Sequence, residues 1–210
     1  MYDIQSITNN ILIGEYSFSD HAIIGERNDR IDPKAIDRVS LDGKVKKEYP
    51  EIKKDNILEY RLVTDEDINT LFKWVNDPLV RKNSFYNKKR IKYDEHKMWF
   101  RSRMKSGDCV IYIFLINSEP IGQVRFDKAA EFKSEINISV DSSFRDKGLS
   151  SVMINIASSK YRTISQAKTM IVAHIKLSNM KSLRAFQKAG FIMTKTCIFK
   201  NQQCYELIFN

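Results

Sequence analysis

The sequence predicts a mixed α/β protein in which helices flank a central, mostly antiparallel sheet, with an N-terminal extension ahead of this domain. Strand-like and helix-like apolar patterns interleave over residues 58–210, which favours a sheet covered by helices. Several neighbouring strand-like runs are separated only by short turns, and this favours antiparallel hairpins. Residues 1–57 hold two short apolar, strand-like runs, at 11–14 and 22–25, and then a polar stretch. We therefore assign residues 58–210 to the domain and residues 1–57 to an extension of unknown role.

The composition is that of a globular protein with a substantial core. The chain has 210 residues, of which 42% are hydrophobic and 29% charged, so it is neither disordered nor too small to bury a core. No apolar run is long enough to span a bilayer, and the first residues lack the basic and apolar regions of a signal peptide. We expect a cytoplasmic protein with no membrane partner.

The formal net charge of +9 raises the question of an anionic partner. The lysines and arginines are spread along the chain and are not gathered into one tract with interleaved aromatic residues, so no nucleic-acid partner is expected. Two explanations stay open for the charge. It could steer a small polyanionic ligand towards the protein, or it could simply solvate the surface.

The cysteines and histidines show no metal-ligand spacing. The cysteines, Cys109, Cys197 and Cys204, lie in apolar, strand-like runs, and the three histidines are scattered. An odd number of cysteines without a signal peptide indicates reduced, buried thiols. The sequence spacing thus predicts neither a metal site nor a catalytic cysteine–histidine pair.

The sequence predicts two helices and three strands in the first half of the domain. A strand is predicted over residues 58–63. A helix follows, with Thr64 as its N-terminal cap and Asp67 placed to complete a capping box. This helix should end before Pro78, because proline disfavours helical geometry in the residue before it. A second helix is predicted over residues 94–106, with a glycine as its C-terminal cap. Two further strands then follow at residues 109–116, where the continuous apolar run suits burial on both faces, and at residues 121–126.

Residues 134–151 form the stretch around which the rest of the chain is organised. Apolar residues alternate up to Val140, a basic turn contains Gly148, and an apolar stripe with helical spacing begins at Leu149. A strand that enters a helix through such a turn presents unpaired backbone N–H groups at the positive end of the helix dipole, which suits phosphate groups. An ordinary strand, turn and helix with a solvated basic turn is the alternative.

The remaining elements are a strand, a short helix and a final hairpin. The strand is predicted over residues 169–175. The helix is predicted over residues 179–189, with Asn179 and Ser182 as its N-terminal capping residues and a glycine at its end. Residues 191–199 and 203–209 are predicted to pair as the hairpin.

Two motifs carry a resemblance to a known family. Residues 145–150, R-D-K-G-L-S, resemble the Q/R-x-x-G-x-G/A pyrophosphate loop of the GNAT superfamily of acetyl-CoA-dependent N-acetyltransferases, with Ser150 in place of the last glycine or alanine. Residues 179–191 are similar to the second signature of that family, N-x-x-S-x-x-x-(Y/F)-x-x-x-G-F. The resemblance implies a GNAT fold, acetyl-CoA as co-substrate, no metal and a set of cofactor-binding residues: Ile138, Ser139, Val140, Arg145, Asp146, Lys147, Gly148, Leu149, Ser150, Asn179, Ser182 and Phe186.

The resemblance also implies roles in the transfer chemistry. A backbone N–H near Val140 would donate to the thioester oxygen, and Glu135 would act as the general base, directly or through water. A solvated glutamate at the strand edge is the alternative for Glu135. Phe186 stands where many members have a tyrosine that protonates the departing thiolate. Either another group, such as Tyr161 or Ser182, replaces that tyrosine, or coenzyme A leaves as the thiolate.

The acceptor is predicted from a narrower resemblance. Residues 74–78, W-V-N-D-P, resemble a segment in acetyltransferase modules of bacterial nonulosonic-acid pathways, which acetylate a nucleotide-linked amino sugar. Trp74, Asn76 and Arg81 thereby become candidates for binding the acceptor. A similar segment occurs in ribosomal-protein and aminoglycoside N-acetyltransferases, so protein N-termini and aminoglycosides remain alternatives. A degenerate, non-catalytic acyl-CoA-binding module is a further alternative, motivated by Ser150 and Phe186. A homodimer is compatible with the resemblance.

Overall fold

The computed structural model describes residues 37–40, 57–86, 89–165 and 169–209. The strands predicted at residues 11–14 and 22–25 lie outside the described residues. No helix in the described part of the chain is long and apolar enough to cross a membrane.

The described residues contain eight strands, numbered β1 to β8 along the chain. They form one sheet in the order β1-β2-β3-β4-β5-β6-β8-β7. Only β5 and β6 pair in parallel, and all other neighbours are antiparallel. The predicted mixed, mostly antiparallel sheet is therefore confirmed. The strands are β1 Asp37–Ser40, β2 Ile57–Leu62, β3 Cys109–Ile116, β4 Glu119–Ala130, β5 Lys133–Val140, β6 Met170–Lys176, β7 Phe191–Phe199 and β8 Gln202–Phe209.

Five α-helices lie in the described residues: α1 Ile68–Val75, α2 Pro78–Asn83, α3 Tyr93–Ser106, α4 Leu149–Ile164 and α5 Met180–Lys188. The predicted capping box of Thr64 and Asp67 is present, although it caps a short 3₁₀ turn that leads into α1. Gly107 ends α3 with a φ of 67°, in the left-handed region, as predicted for a glycine cap.

Two features were not predicted. The sequence indicated only the end of a helix at Asn76-Asp77-Pro78, but Pro78 begins α2, because the side chain of Asp77 caps the helix and proline suits its first position. In addition, β1 pairs with β2 although it belongs to the predicted extension. The boundary at residue 58 stays a prediction.

The core lies on both faces of the sheet. The larger cluster contains Phe126 and Met153 and lies beneath α4 and α5. The smaller cluster contains Trp74 and Phe100 and lies beneath α1 and α3. Strand β3 contributes alternate residues to both clusters, which confirms that it is buried on both faces. Each fully buried large apolar side chain contributes about 1.5–3 kcal/mol to the free energy of unfolding.

Gly122 allows α4 to approach the sheet closely. A Cβ at this position of β4 would lie 2.5 Å from the carbonyl oxygen of Ser139 and 2.9 Å from Cε of Met153. Contacts below 3.0 Å require the neighbours to move, so only glycine fits without displacing the strand or the helix.

Candidate active site

The strands β5 and β6 separate in the middle of the sheet. They pair at only three positions, from Lys133 with Met170 to Glu135 with Val172. Both strands lie wholly within the described residues, and no pair joins residues 136–140 to β6. This leaves a gap in which one backbone edge of β5 is open to a ligand that can form strand-like hydrogen bonds. The predicted residues Ile138, Ser139 and Val140 lie along this edge.

The N-terminus of α4 lies at the end of the same strand. Gly148 has a φ of 72°, in the left-handed region, and stands immediately before the helix. No side chain caps the first turn of α4, so the N–H groups that begin with Leu149 and Ser150 remain available to an anion. The Ser151 hydroxyl donates to the Gly148 carbonyl oxygen at 3.0 Å. The structure thus places the predicted phosphate-binding loop beside the open edge of β5.

Arg145 has partners that hold the loop in place. Its Nε donates to the carbonyl oxygen of Val140 at 3.0 Å, and its terminal nitrogen lies 2.8 Å from Oδ1 of Asp77. Burial alone raises the pKa of Asp77, but the hydrogen bond from Arg145 and those from two α2 amides outweigh it, and the net pKa is lowered. The arginine therefore joins the predicted phosphate-binding loop, residues 145–150, to the start of α2.

The other charged residues of the loop lie at the surface. Asp146 adopts a φ of 61°, and its carboxylate lies 2.7 Å from Nζ of Lys181 on α5, with both side chains exposed. Lys147 Nζ lies 5.5 Å from the centre of the Phe144 ring. An exposed pair such as Asp146–Lys181 contributes little stability.

The second motif shapes α5 and the core beneath it. Asn179 accepts a hydrogen bond from the Ser182 amide at 3.2 Å, as predicted for a helix cap. Phe186 is 3% exposed and packs edge-on against Phe191 in the core under α4 and α5. An apolar ring there fills the core and has no proton to donate.

Tyr161, the alternative acid, is engaged elsewhere. Its hydroxyl lies 2.8 Å from Oγ of Ser134, near the start of β5, and its ring stacks on Phe126 with a centroid distance of 4.2 Å. Tyr161 stands near the C-terminal end of α4, whereas the phosphate-binding loop precedes the N-terminal end. The structure therefore does not bring Tyr161 to the loop.

A cavity of about 840 Å³ lies between α1, α2 and the loop after β5. Its lining carries four cationic and two anionic side chains. The predicted acceptor residues Trp74, Asn76 and Arg81 all lie in the lining. The lining residues are Phe72, Lys73, Trp74, Asn76, Asp77, Pro78, Arg81, Lys82, Arg90, Asp141 and Ser142.

Trp74 is bound to Asp141 at the wall of the cavity. The indole Nε1 donates to Oδ2 of Asp141 at 2.8 Å, and Lys73 Nζ donates to the same oxygen at 2.8 Å. The other oxygen accepts from the Ser143 amide. Burial alone raises the pKa of Asp141, but these hydrogen bonds outweigh it and hold the pKa well below its usual range. Asp141 therefore stays ionised and joins α1 to the loop.

Asn76 and Arg81 also hold the walls of the cavity. The Asn76 side chain accepts from the Ile91 amide at 2.8 Å and donates to the Ile91 carbonyl at 3.1 Å. Arg81 is 8% exposed, and its terminal nitrogen donates to the Lys89 carbonyl at 2.7 Å. Its Nε is buried and has no partner within the described residues.

Among the buried polar atoms of the sheet that lack partners, two lie side by side on neighbouring strands. Ser139 on β5 and Gln123 on β4 are direct cross-strand neighbours, and neither Oγ of Ser139 nor Oε1 of Gln123 has a hydrogen bond within the described part of the chain. Buried polar atoms are nearly always paired, so these atoms mark a position for water or a substrate group. Sequence patterns did not single out Gln123, because an isolated glutamine in a strand carries no motif.

The comparisons place the chain in a family. Residues 58–192 match the model of the acetyltransferase (GNAT) domain. The chain belongs to this family, and its predicted superfamily resemblance is confirmed. Among curated proteins it is 27% identical over 146 residues to the uncharacterized protein MJ1062 of Methanocaldococcus jannaschii. That match covers 69% of this chain but only 30% of MJ1062.

Solved structures share the fold at low sequence identity. Spermidine N-acetyltransferase from Vibrio cholerae, in complex with CoA and spermine, superposes with a TM-score of 0.65 at 17% identity, covering 72% of this chain and 94% of that one. Aminoglycoside acetyltransferase AAC(6′)-Ib, in complex with coenzyme A and kanamycin, has a TM-score of 0.62 at 19% identity, covering 72% and 93%. A domain from Methanocaldococcus jannaschii has a TM-score of 0.63 at 24% identity, covering 74% and 100%.

Proposed function

We propose that the chain is an acetyl-CoA-dependent N-acetyltransferase that transfers acetyl directly to the amine of a nucleotide-linked amino sugar. Membership of the GNAT family supports the reaction class. The uncapped N-terminus of α4 and the open edge of β5 support the cofactor, since they offer amides to a pyrophosphate and strand-like partners to an extended amide chain. Arg145, Lys147 and Gly148 belong to this cofactor site.

The transfer needs a polarised thioester and a deprotonated amine. A backbone N–H of β5 near Val140 would donate to the oxyanion of the tetrahedral intermediate. Glu135 remains the candidate base, because it lies at the last paired position before β5 and β6 separate. The amine attacks the thioester carbon, the C–S bond breaks, and the proton lost by the amine passes to the base. Coenzyme A then leaves as the thiolate, consistent with the apolar ring of Phe186.

The positive charge of the cavity supports an acceptor that carries a diphosphate. Both carboxylates of the lining are already engaged, Asp141 with Lys73 and Asp77 with Arg145. The cationic side chains of Arg81, Lys82 and Arg90 also line the cavity, and the remaining field is positive. Such a field attracts an acceptor with a diphosphate and disfavours polycations such as spermine and kanamycin.

A thiol-release assay tests this proposal. The acceptors would be UDP-linked 2-amino and 4-amino hexoses, the same amino sugars without the nucleotide, spermidine, kanamycin and a peptide with a free N-terminus. We expect turnover with a nucleotide-linked sugar and a KM that rises with ionic strength. Preference for spermidine, kanamycin or the peptide would contradict the proposed acceptor but not the reaction class.

Charge reversal locates the acceptor site. Arg90→Glu should raise KM for the nucleotide-linked sugar and leave KM for acetyl-CoA nearly unchanged. Arg101→Glu is the matched control, because Arg101 is exposed on α3 and does not line the cavity. An equal effect of both variants would mean that the overall charge matters and the cavity does not.

A further inference from the structure

The C-terminal strands bring together ligand types that the sequence keeps apart. His174 on β6 lies directly across from Glu206 on β8, and Cys197 on β7 lies directly across from Cys204 on β8. Neighbouring residues of β6 and β8, Ala173 and Leu207, face the core beneath α4 and α5. Because side chains alternate along a strand, His174 and Glu206 face the opposite side of the sheet.

The ligand atoms lie close enough to share an ion. The nearest donor atoms of His174, Cys197 and Glu206 all lie within 4.8 Å of one another. Nε2 of His174 lies 3.5 Å from Oε2 of Glu206. Ligand atoms around a tetrahedral zinc ion, with bonds of about 2.0–2.3 Å, are separated by roughly 3.5 Å. Small rotations of these three side chains would therefore reach coordinating geometry.

A fourth donor lies beside the cluster, and an aromatic ring orients its histidine. Sγ of Cys204 lies 3.0 Å from Sγ of Cys197. The Phe199 ring stacks on the His174 imidazole at a centroid distance of 4.0 Å and an interplanar angle of 9°, which limits rotation of the imidazole. Glu206 directs its other oxygen, Oε1, towards Lys195 at 3.5 Å, so Oε2 remains on the side of the histidine.

We propose that His174, Cys197 and Glu206 bind a Zn²⁺-type divalent ion, with Cys204 as the fourth ligand; both cysteines release their thiol protons to solvent and bind as thiolates. Imidazole, thiolate and carboxylate are the ligand types that zinc takes in four-coordinate sites. Spacing along the sequence predicted no metal, because the residues belong to three separate strands. The strand register brings them together. The site would join β6 to the β7–β8 hairpin, and it lies beside Glu135, whose carboxylate interacts electrostatically with His174.

Metal content tests the site in the full chain, expressed without a polyhistidine tag and purified under reducing conditions. We expect about one zinc ion per chain by elemental analysis. Cys197→Ser and Glu206→Gln should each weaken zinc binding by at least about 100-fold. Mutation of a residue that only orients a metal ligand already lowers metal affinity by about 10–100-fold. Cys109→Ser is the matched control, because Cys109 lies on β3, away from the cluster.

A spectrum of the wild-type protein keeps the test valid if a variant does not fold. Cobalt added to the metal-free protein should produce a thiolate-to-metal absorption band and tetrahedral visible bands. Absence of bound zinc and of these bands would overturn the proposal. A disulfide between Cys197 and Cys204 in the reduced preparation, or zinc binding unchanged in both cluster variants, would overturn it as well.

Discussion

The guanidinium of Arg145 and the carboxylate of Asp77 form an ion pair at 2.8 Å that joins the predicted phosphate-binding loop to the start of α2. Asp77 also caps α2 by accepting hydrogen bonds from the amides of Leu79 and Val80. One carboxylate thus serves both the cavity and the cofactor loop. Substitution can separate these two roles.

Asp77→Asn should keep the cap and lose the ion pair. Asparagine caps helices about as well as aspartate, so we expect the free energy of unfolding to fall by only about 0.5–1 kcal/mol. Acetyl-CoA affinity should fall more clearly, because Arg145 loses the partner that orients it. Asp77→Ala removes the cap too, and should cost about 1 kcal/mol more. Urea denaturation and calorimetric titration measure the two effects, and equal affinities in wild type and Asp77→Asn would refute the link.

Trp74→Phe should destabilise the protein by about 1–3 kcal/mol, because it removes an N–H donor from a buried, ionised carboxylate. Asp141 is 5% exposed and cannot recover the lost partner from bulk water. Trp99→Phe is the control, since Trp99 is half-buried and packs between His96 and Arg125. Urea denaturation of both variants measures the difference. A smaller loss for Trp74→Phe than for Trp99→Phe would contradict this assignment.

Gly148→Asp and Gly148→Asn form a matched pair at the start of α4. Both side chains have the same shape, and both residues tolerate the left-handed backbone better than most. Only aspartate adds a negative charge where the pyrophosphate is proposed to bind. We expect aspartate to weaken acetyl-CoA binding at least tenfold more than asparagine in calorimetric titration. Equal binding by the two variants would place the cofactor elsewhere.

Stability should fall as the pH is lowered, and His96 should contribute to the slope. Burial lowers the pKa of His96 below 6.5, and its hydrogen bond to the Ile68 carbonyl only partly offsets this. Between the folded pKa and 6.5, the unfolded chain binds more protons, so the free energy of unfolding decreases on acidification through that window.

His96→Gln should reduce the slope of the free energy of unfolding against pH. A single histidine contributes at most about 1.4 kcal/mol per pH unit to that slope. Urea denaturation between about pH 7 and pH 5 measures it, above the range in which ordinary carboxylates titrate. The same slope in the variant and the wild type would mean that His96 titrates normally.

Local sequence patterns predicted the structural features that depend on neighbouring residues in the chain. Gly107 ends α3, Thr64 begins the turn before α1 and Asn179 caps α5, because each effect depends on residues within one turn. The apolar periodicity also predicted the strands of the sheet. Helix α2 was missed, since the sequence at Pro78 was interpreted only as a stop. Strand β1 has only four residues and no alternating apolar pattern.

The positions of the candidate-site residues in the fold followed from the sequence only in part. The loop around Gly148 could be located because its motif is continuous in sequence. The anchoring role of Asp141 could not, because its partners Lys73 and Trp74 are 68 and 67 positions away. The charge of the cavity likewise depends on α1, α2 and the loop after β5 meeting in space. Local spacing carries no information on such contacts.

The separation of β5 from β6 has a consequence for amide hydrogen exchange. Central strands normally exchange their amide hydrogens slowest, because both edges are hydrogen-bonded. Residues 136–140 lie at the centre of the sheet but have no strand partner on the β6 side. Amides on that side should therefore exchange in the free protein almost as fast as those of an outer strand. A ligand that fills the gap would slow hydrogen exchange at these amides, which otherwise exchange fastest within the interior of the sheet.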